Sequence, residues 1–453
     1  MTNTKAREIT RELATYAVHS RFEALPEAIR VESARTFLNW MGCVLGGCRD
    51  AAVEAADAMV AEAGGNPQAS VIGRGRRSDV ASAAFINCLS STVNSFDDTH
   101  LATVTHPTGP VAAALFAYCE KNAITGEEFL NALALGVEIE CRLSNVLLMP
   151  PAKANLSLFI TGITGPIGAA AALGRLMQLD EERMRWAIGL AATQASGFRA
   201  THGAMSAFLV PAHAARTGVW GAMLAQKGFT STDHMLEGAK GFVDIFTSGA
   251  NLDLAVDGLG THFELQANAY KPYPSGIVVQ PVIDACLDIA QKMPAQAAVA
   301  SVKVKVHPLA LDLTNRRHPK TPVEGQISLF HWVAVCLLQR AAGLAQLTQD
   351  CIDDTEVTAL RGRIEAVVDA SLRRDEAIAE VTLTDGTLLQ AHVAHARGSV
   401  ERPMTDAELD AKFTAQAVTV LSSDASDRLL RLCRHAAGLR NIGAEIASTW
   451  APR

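Results

Sequence analysis

Val80 to Val93 reads VASAAFINCLSSTV and Pro110 to Cys119 reads PVAAALFAYC; between them run Ser95-Phe96-Asp97-Asp98-Thr99-His100 and, six residues on, His106-Pro107-Thr108-Gly109. Apolar and small residues recurring over each flank predict two buried helices rather than strands, joined by a polar junction. That junction gathers two carboxylates, two imidazoles and the Thr99 hydroxyl. A carboxylate beside an imidazole sets its tautomer and tunes its pKa near neutrality, which suits proton transfer. Asp98-Thr99 also has a plainer reading as a cap, because both side chains accept from free N–H groups at a helix start.

Working outward, the same 3.6-residue periodicity recurs in Ile9 to Ala17, Glu27 to Leu45, Ala51 to Ala63, Gly126 to Leu147, Ile163 to Met177, Glu181 to Gln194 and Pro211 to Gln226. Aromatic residues make up only 5% of the chain, so these helices must pack through small side chains. The pattern changes near Ala269. Ala300 to His307 (ASVKVKVH) alternates, and Ile364 to Val367, Glu380 to Leu383 and Leu388 to Val393 read as strands, the last two around a turn at Asp385-Gly386. Ile327 to Leu344 is helical. Pro403-Met404-Thr405-Asp406 caps a return to helix, with Ala407 to Ile446 packing back on the first part. The expected fold is mainly α: a large all-helical domain, 1–268 with 402–453, and a smaller α+β lid domain, 269–401.

The chain has 453 residues, 49% hydrophobic and 19% charged, enough for two domains with substantial cores. A net charge of -7 disfavours nucleic acid as a partner. The nine cysteines are scattered without a C-x-x-C or zinc-like spacing, so they read as buried thiols in a reducing cytoplasm, and no metal site is expected. Met1 to Arg11 is polar and no run of eighteen apolar residues occurs, so no secretory signal or membrane span is expected. Gly73-Arg74-Gly75-Arg76-Arg77 lacks the Gly-Lys-Ser/Thr ending of a phosphate loop and reads as a solvated turn before a Ser78/Asp79 cap.

Several short motifs occur in a telling order: Asn87, Phe96 to Thr99 and His106 to Gly109; Gly165 to Leu173 (GPIGAAAAL); Gly203 to Ser206, His213 to Gly218, Leu224-Ala225 and Gly228-Phe229; Glu237-Gly238 and Gly241-Phe242; Tyr270 to Pro274; and His307-Pro308-Leu309. In these motifs the chain resembles the MmgE/PrpD (2-methylcitrate dehydratase) family over nearly its full length. The resemblance implies an all-helical domain built from both chain ends, an α+β lid, a groove between them and a homodimer. It also implies chemistry without metal or cofactor: dehydration of 2-methylcitrate, decarboxylation of cis-aconitate or epimerisation of iminodisuccinate, each through a carbanion next to a carboxylate.

Carried onto this sequence, the resemblance makes His106 the general acid/base, Asp97 or Asp98 its orienting carboxylate, Thr99 a hydrogen-bonding partner and Lys271 a carboxylate-binding cation. Without it, Lys271 reads as a solvated surface lysine. Some family groups are missing. Many members read Asp-Phe-Asp-Asp where this chain begins with Ser95. The family's His-Pro-Thr falls on Phe159-Ile160-Thr161, its Lys and following His on Ala207 and Val210, a further His on Gln280, and a lid Tyr on His331.

Arg199 and His202, an i, i+3 pair, offer replacement substrate-binding groups, unless they only cap a turn. Tyr270 and His100 complete the candidate set. A substrate with fewer carboxylates, or with an apolar part against Phe159, Phe208 and Val210, fits such a groove. The expected function is a cofactor-independent lyase, a dehydratase or decarboxylase, acting on a small di- or tricarboxylic acid. The alternatives are an isomerase or epimerase using the same proton abstraction, and a catalytically silent family member.

Overall fold

Glycine and alanine set how closely the helices of the first half approach one another. The computed structural model describes residues 7–450; residues 1–6, which open the polar N-terminal stretch, and 451–453 lie outside it. The chain is mainly α, 56% helical with small sheets. Ile160–Leu176 packs between Gly126–Leu148 and Ser206–Gln226, Thr108–Cys119 packs against all three, and Val80–Thr92 packs on Ser206–Gln226. A Cβ on Gly168 would lie 2.5 Å from the carbonyl oxygen of Gly136, a distance no methyl group tolerates, so only glycine permits this crossing. Phe37, Trp40, Phe116 and Phe129 fill the centre of this core, with the Phe37 and Phe129 rings 4.7 Å apart.

The C-terminal helices Asp406–Ala417 and Ser423–Arg434 place Phe413, Ala417, Leu429 and Cys433 in that same core. Thr405 opens the first of them with a reciprocal capping box to Glu408. A second core surrounds a four-stranded sheet in the order Ile364–Val368, Val299–Val306, Ala377–Leu383 and Leu388–Val393. The first pair is parallel and the others antiparallel. Val302, Val304 and Val306 are buried while Lys303 and Lys305 point outward, as the alternating sequence predicts. Gln280–Lys292 covers the apolar face, and Leu329–Gln339 packs on the outside of that helix.

Several local expectations change. The helix expected over Ile327 to Leu344 is shorter, Leu329–Gln339, because Arg340 adopts a left-handed φ of 53° and stops it. Ser206–Gln226 begins a turn before Pro211, which it accommodates internally. The Gly73 to Arg77 turn joins two short strands, Ala69–Val71 and Arg76–Ser78, and is not simply solvated: Arg74 bonds Asp57 and Glu54 at 2.6 Å each, and Arg76 pairs with Asp57. Asp79, as expected, caps the next helix by accepting from the N–H groups of Ala81 and Ser82. All nine cysteines are free and buried. Among the described residues, no helix is long and apolar enough to cross a membrane.

Asp98-Thr99 does not cap a helix. Asp98–His100 is a strand, paired antiparallel with Asn268–Tyr270 so that Asp98 faces Tyr270 and His100 faces Asn268. This ribbon ties the junction between the first helices to the segment that leads into the second core.

Candidate active site

The ribbon puts Lys271, one residue past its end, beside Asp97, one residue before its start. Lys271 Nζ donates to Asp97 Oδ1 at 2.6 Å, with both side chains buried. The other carboxylate oxygen, Oδ2, lies 3.5 Å from Nδ1 of His106. His106 Nδ1 is 2.9 Å from the backbone carbonyl of Asp98 and 3.1 Å from Thr99 Oγ1. A carbonyl only accepts, so Nδ1 carries the proton and Nε2 keeps a free lone pair. Burial lowers the His106 pKa despite the pull of Asp97, leaving the ring neutral at neutral pH. Burial would raise Asp97, but His106 and Lys271 outweigh it and hold the carboxyl below its ordinary range. The trio can therefore accept a proton at Nε2 and stabilise the imidazolium that forms.

The loop bearing His106 is braced from beneath. Its N–H donates to Thr161 Oγ1 at 2.9 Å, and hydroxyls run from Thr103 to Thr105, Ser144 and Thr164 at 2.7 to 2.9 Å. Val104 and Ser95 hold positive φ angles of 57° and 49°, unfavourable for both side chains, and both line the site.

Asp97, His106, Lys271 and His202 line one cavity of about 100 Å³ between the two cores. Its other walls are largely apolar, among them Phe159, Phe208, Ile277, Leu313 and Ile327. A wider outer cavity of about 860 Å³ shares His202, Leu313 and Ile327 with it and adds Arg199 and Arg316. Phe159 stands between the two imidazoles, its ring edge-on at 6.3 Å from His106 and 5.0 Å from His202. It is a wall of the cavity and leaves room beside it.

A model of the MmgE/PrpD N-terminal domain matches residues 11–255 and one of the MmgE/PrpD C-terminal domain matches residues 273–436. The chain belongs to the MmgE/PrpD family. It is 24% identical to the cis-aconitate decarboxylase-like protein oryM of Aspergillus oryzae, over 94% of both chains. It is 24% identical to the cis-aconitate decarboxylase of Homo sapiens over 78% of this chain and 76% of that one, and 25% identical to that of Aspergillus terreus over 77% of each.

Within this MmgE/PrpD chain the sequence-derived residues separate into two groups. His106, Asp97, Lys271 and His202 face the cavity, Thr99 touches the His106 ring, and Arg199 stands half-buried in the outer cavity. The other three do not reach it. Asp98 is buried, accepting from Thr108 Oγ1 at 2.5 Å and Asn268 Nδ2 at 2.6 Å, so it joins the ribbon to a helix start. His100 is enclosed, with Nδ1 on Thr103 at 2.8 Å and Nε2 on Glu264 at 2.9 Å. The Tyr270 hydroxyl bonds Glu32 away from the cavity. Neighbouring positions in a strand face opposite ways, and the sequence alone does not say which way each turns.

Two further groups were not singled out in the sequence. Gln326 lines the cavity, accepts from Ser95 Oγ at 2.9 Å and donates to the Val93 carbonyl at 2.7 Å, which ties its segment to the end of the Val80–Thr92 helix. Lys412 reaches in from the C-terminal helix and donates to Asn39 Oδ1 and the Phe96 carbonyl, 2.7 Å each, behind Asp97. Its signal was present: Lys412 shares a helix face with the buried Leu409, Phe413 and Gln416. For metals, the described residues offer only Asp375, His395 and Glu401, with His395 hydrogen-bonded to Asp375 at 2.7 Å; none of them lines the cavity.

Proposed function

We propose that this chain is a cofactor-independent lyase, a dehydratase or decarboxylase, acting on a small carboxylic acid in the groove between a mainly helical domain, 1–268 with 402–453, in which the expected all-helical character is broken by the short strands at 69–78 and 98–100, and a lid, 269–401. The observation that carries the reading is the His106–Asp97–Lys271 constellation: a neutral imidazole with a defined free nitrogen, backed by a neutralised carboxylate. The cis-aconitate decarboxylases among the relatives supply the reaction class.

In dehydration, His106 Nε2 takes the proton from the carbon next to a carboxylate and the bonding pair passes into that carboxylate as an enolate; the pair then returns to form a C=C bond as the C–O bond on the neighbouring carbon breaks, and the hydroxyl leaves as water with the proton that His106 took. In decarboxylation the C–C bond to the departing CO2 breaks, its electron pair stays on the carbanion, and a proton taken up from solvent at His106 Nε2 is delivered to that carbon. The Arg199 guanidinium at the cavity mouth offers the positive charge that stabilises the carboxylate as charge develops on it.

Epimerisation is a second reading, favoured by one observation. His202 lines the same cavity as His106, and burial with Arg199 pushes its pKa down to about 4, so both imidazoles are neutral near pH 7. In a two-base exchange one imidazole takes the proton from one face while the other, having taken up a proton from solvent, delivers it to the opposite face.

The reading extends to a cytoplasmic homodimer. It draws on the exposed apolar side chains Leu209, Trp220 and Leu224 along one helix, with Phe229 beyond its end.

Proton NMR in D2O with 2-methylcitrate, cis-aconitate, iminodisuccinate, substituted succinates and their monoesters tests the function. Loss of a C–H signal that disappears in His106→Ala supports it. Absence of exchange across the panel, with protein folded, points to a silent family member.

A further inference from the structure

The charges around the reactive cavity do not suit a polyanion. Of the four titratable side chains that line it, Lys271 is committed to Asp97, and His106 and His202 are held neutral by burial. Asp97 and Lys271 cancel, so the inner cavity carries no free positive charge. The remaining wall is largely apolar and its polar members, among them Ser95 and Gln326, are uncharged; Phe159, Ala207 and Val210 form their own small buried cluster.

Positive charge is found one step outward. Arg199 lines the outer cavity half-buried, and its guanidinium has no hydrogen-bond or ion-pair partner among the described residues. Arg316 beside it is occupied, pairing with Glu324 at 3.2 Å and donating to the His202 carbonyl at 2.7 Å. Arg374, whose charge acts on Arg199, donates to the carbonyls of Leu101 and Ala102. The acid on this wall, Asp312, is exposed. An uncommitted guanidinium at the mouth of an uncharged cavity provides for one carboxylate, and an unmatched second or third anion would have to be desolvated at a cost.

We propose that the cavity takes an acid with a single ionised carboxylate and a short apolar substituent, such as an alkyl-substituted acid or the monoester of a diacid. The carboxylate meets Arg199 at the mouth, the carbon next to it faces His106, and the substituent packs on Phe208, Ile277 and Leu313. A cavity of about 100 Å³ sets the size of the substituent: it is smaller than the roughly 150 Å³ that admits benzene, which limits it to a few carbons. This assignment rests on the lyase reading for its orientation, but its binding terms can be measured alone.

Isothermal titration with 3-methylbutanoate, methylsuccinate and tricarballylate, on the wild type and on Arg199→Gln and Arg199→Lys, tests it at pH 7.5. The expected order is 3-methylbutanoate tightest and tricarballylate weakest. Arg199→Gln should weaken 3-methylbutanoate at least tenfold, and Arg199→Lys less. Tightest binding of tricarballylate, no binding of 3-methylbutanoate at millimolar concentration, or affinity unchanged in a folded Arg199→Gln overturns the assignment. Failure of the lyase reading is seen separately: the deuterium-exchange panel would be silent while 3-methylbutanoate still bound through Arg199.

Discussion

Lys271 donates to Asp97 at 2.6 Å across a sequence separation of 174 residues, with both groups out of water. The contact joins the two cores at the cavity, and with His106 it keeps the buried Asp97 carboxyl ionised. Its removal should therefore affect folding and chemistry together. Lys271→Met is expected to destabilise the protein by about 3–5 kcal/mol, the usual result of leaving a buried charge unpaired. Adding Asp97→Asn should recover much of that loss without recovering activity. Urea denaturation of the two variants beside an exchange assay checks both halves.

His106 should set the acid limb of activity. In dehydration and epimerisation it works as a base, unprotonated, so activity is present above its folded pKa and lost as pH falls through it. Burial lowers that pKa from its ordinary 6.5, so the limb in kcat/KM should fall below pH 6.5. His106→Gln should reduce exchange by roughly 10²–10⁴-fold with an unchanged melting temperature. A limb above pH 7 would contradict the assignment.

Asp98 should leave its mark on stability instead. Burial raises its pKa from 3.8 to about 6. The unfolded chain releases this proton at lower pH than the native one, so the contribution is full below pH 3.8 and is lost as pH rises through 6, amounting to about 3 kcal/mol. Asp98→Asn, which keeps an acceptor for Thr108 or Asn268, should flatten the stability profile between those two values. Denaturation midpoints measured across that range give the slope directly.

Lys412 holds the Phe96 carbonyl, and through it the backbone that carries Asp97. Lys412→Met leaves that carbonyl and Asn39 without their donor and should cost about 1–3 kcal/mol. As a positioning residue it should lower kcat while leaving KM nearly unchanged. A purely structural lysine would lower the melting temperature and leave kcat alone in the folded fraction, so the two parameters measured below the melting range decide between the roles.

The helices were legible because their information is local. Period, caps and breakers lie within a few turns of each other, and Ala51–Ala63, expected from its periodicity, is found with those boundaries. The alternation of Val302, Val304 and Val306 with lysines likewise identified a half-buried strand. The motif residues His106, Asp97 and Lys271 were also legible, through resemblance to the family. What periodicity cannot encode is a three-residue strand whose partner lies far along the chain, and so Asp98–His100 went unrecognised.

The sequence by itself determined a mainly helical chain with an α+β section, its family and the reactive groups, because each follows from residue type and short-range spacing. The tertiary structure alone decided which of those groups face the cavity. Asp97 and Asp98 are chemically identical neighbours, yet one meets Lys271 and His106 while the other turns to Thr108 and Asn268. His100 and His106 divide in the same way, one sealed against Glu264 and the other open to the cavity. Successive side chains along an extended backbone point in opposite directions, and only the pairing of that backbone with residues 268–270 determines which direction is the reactive one.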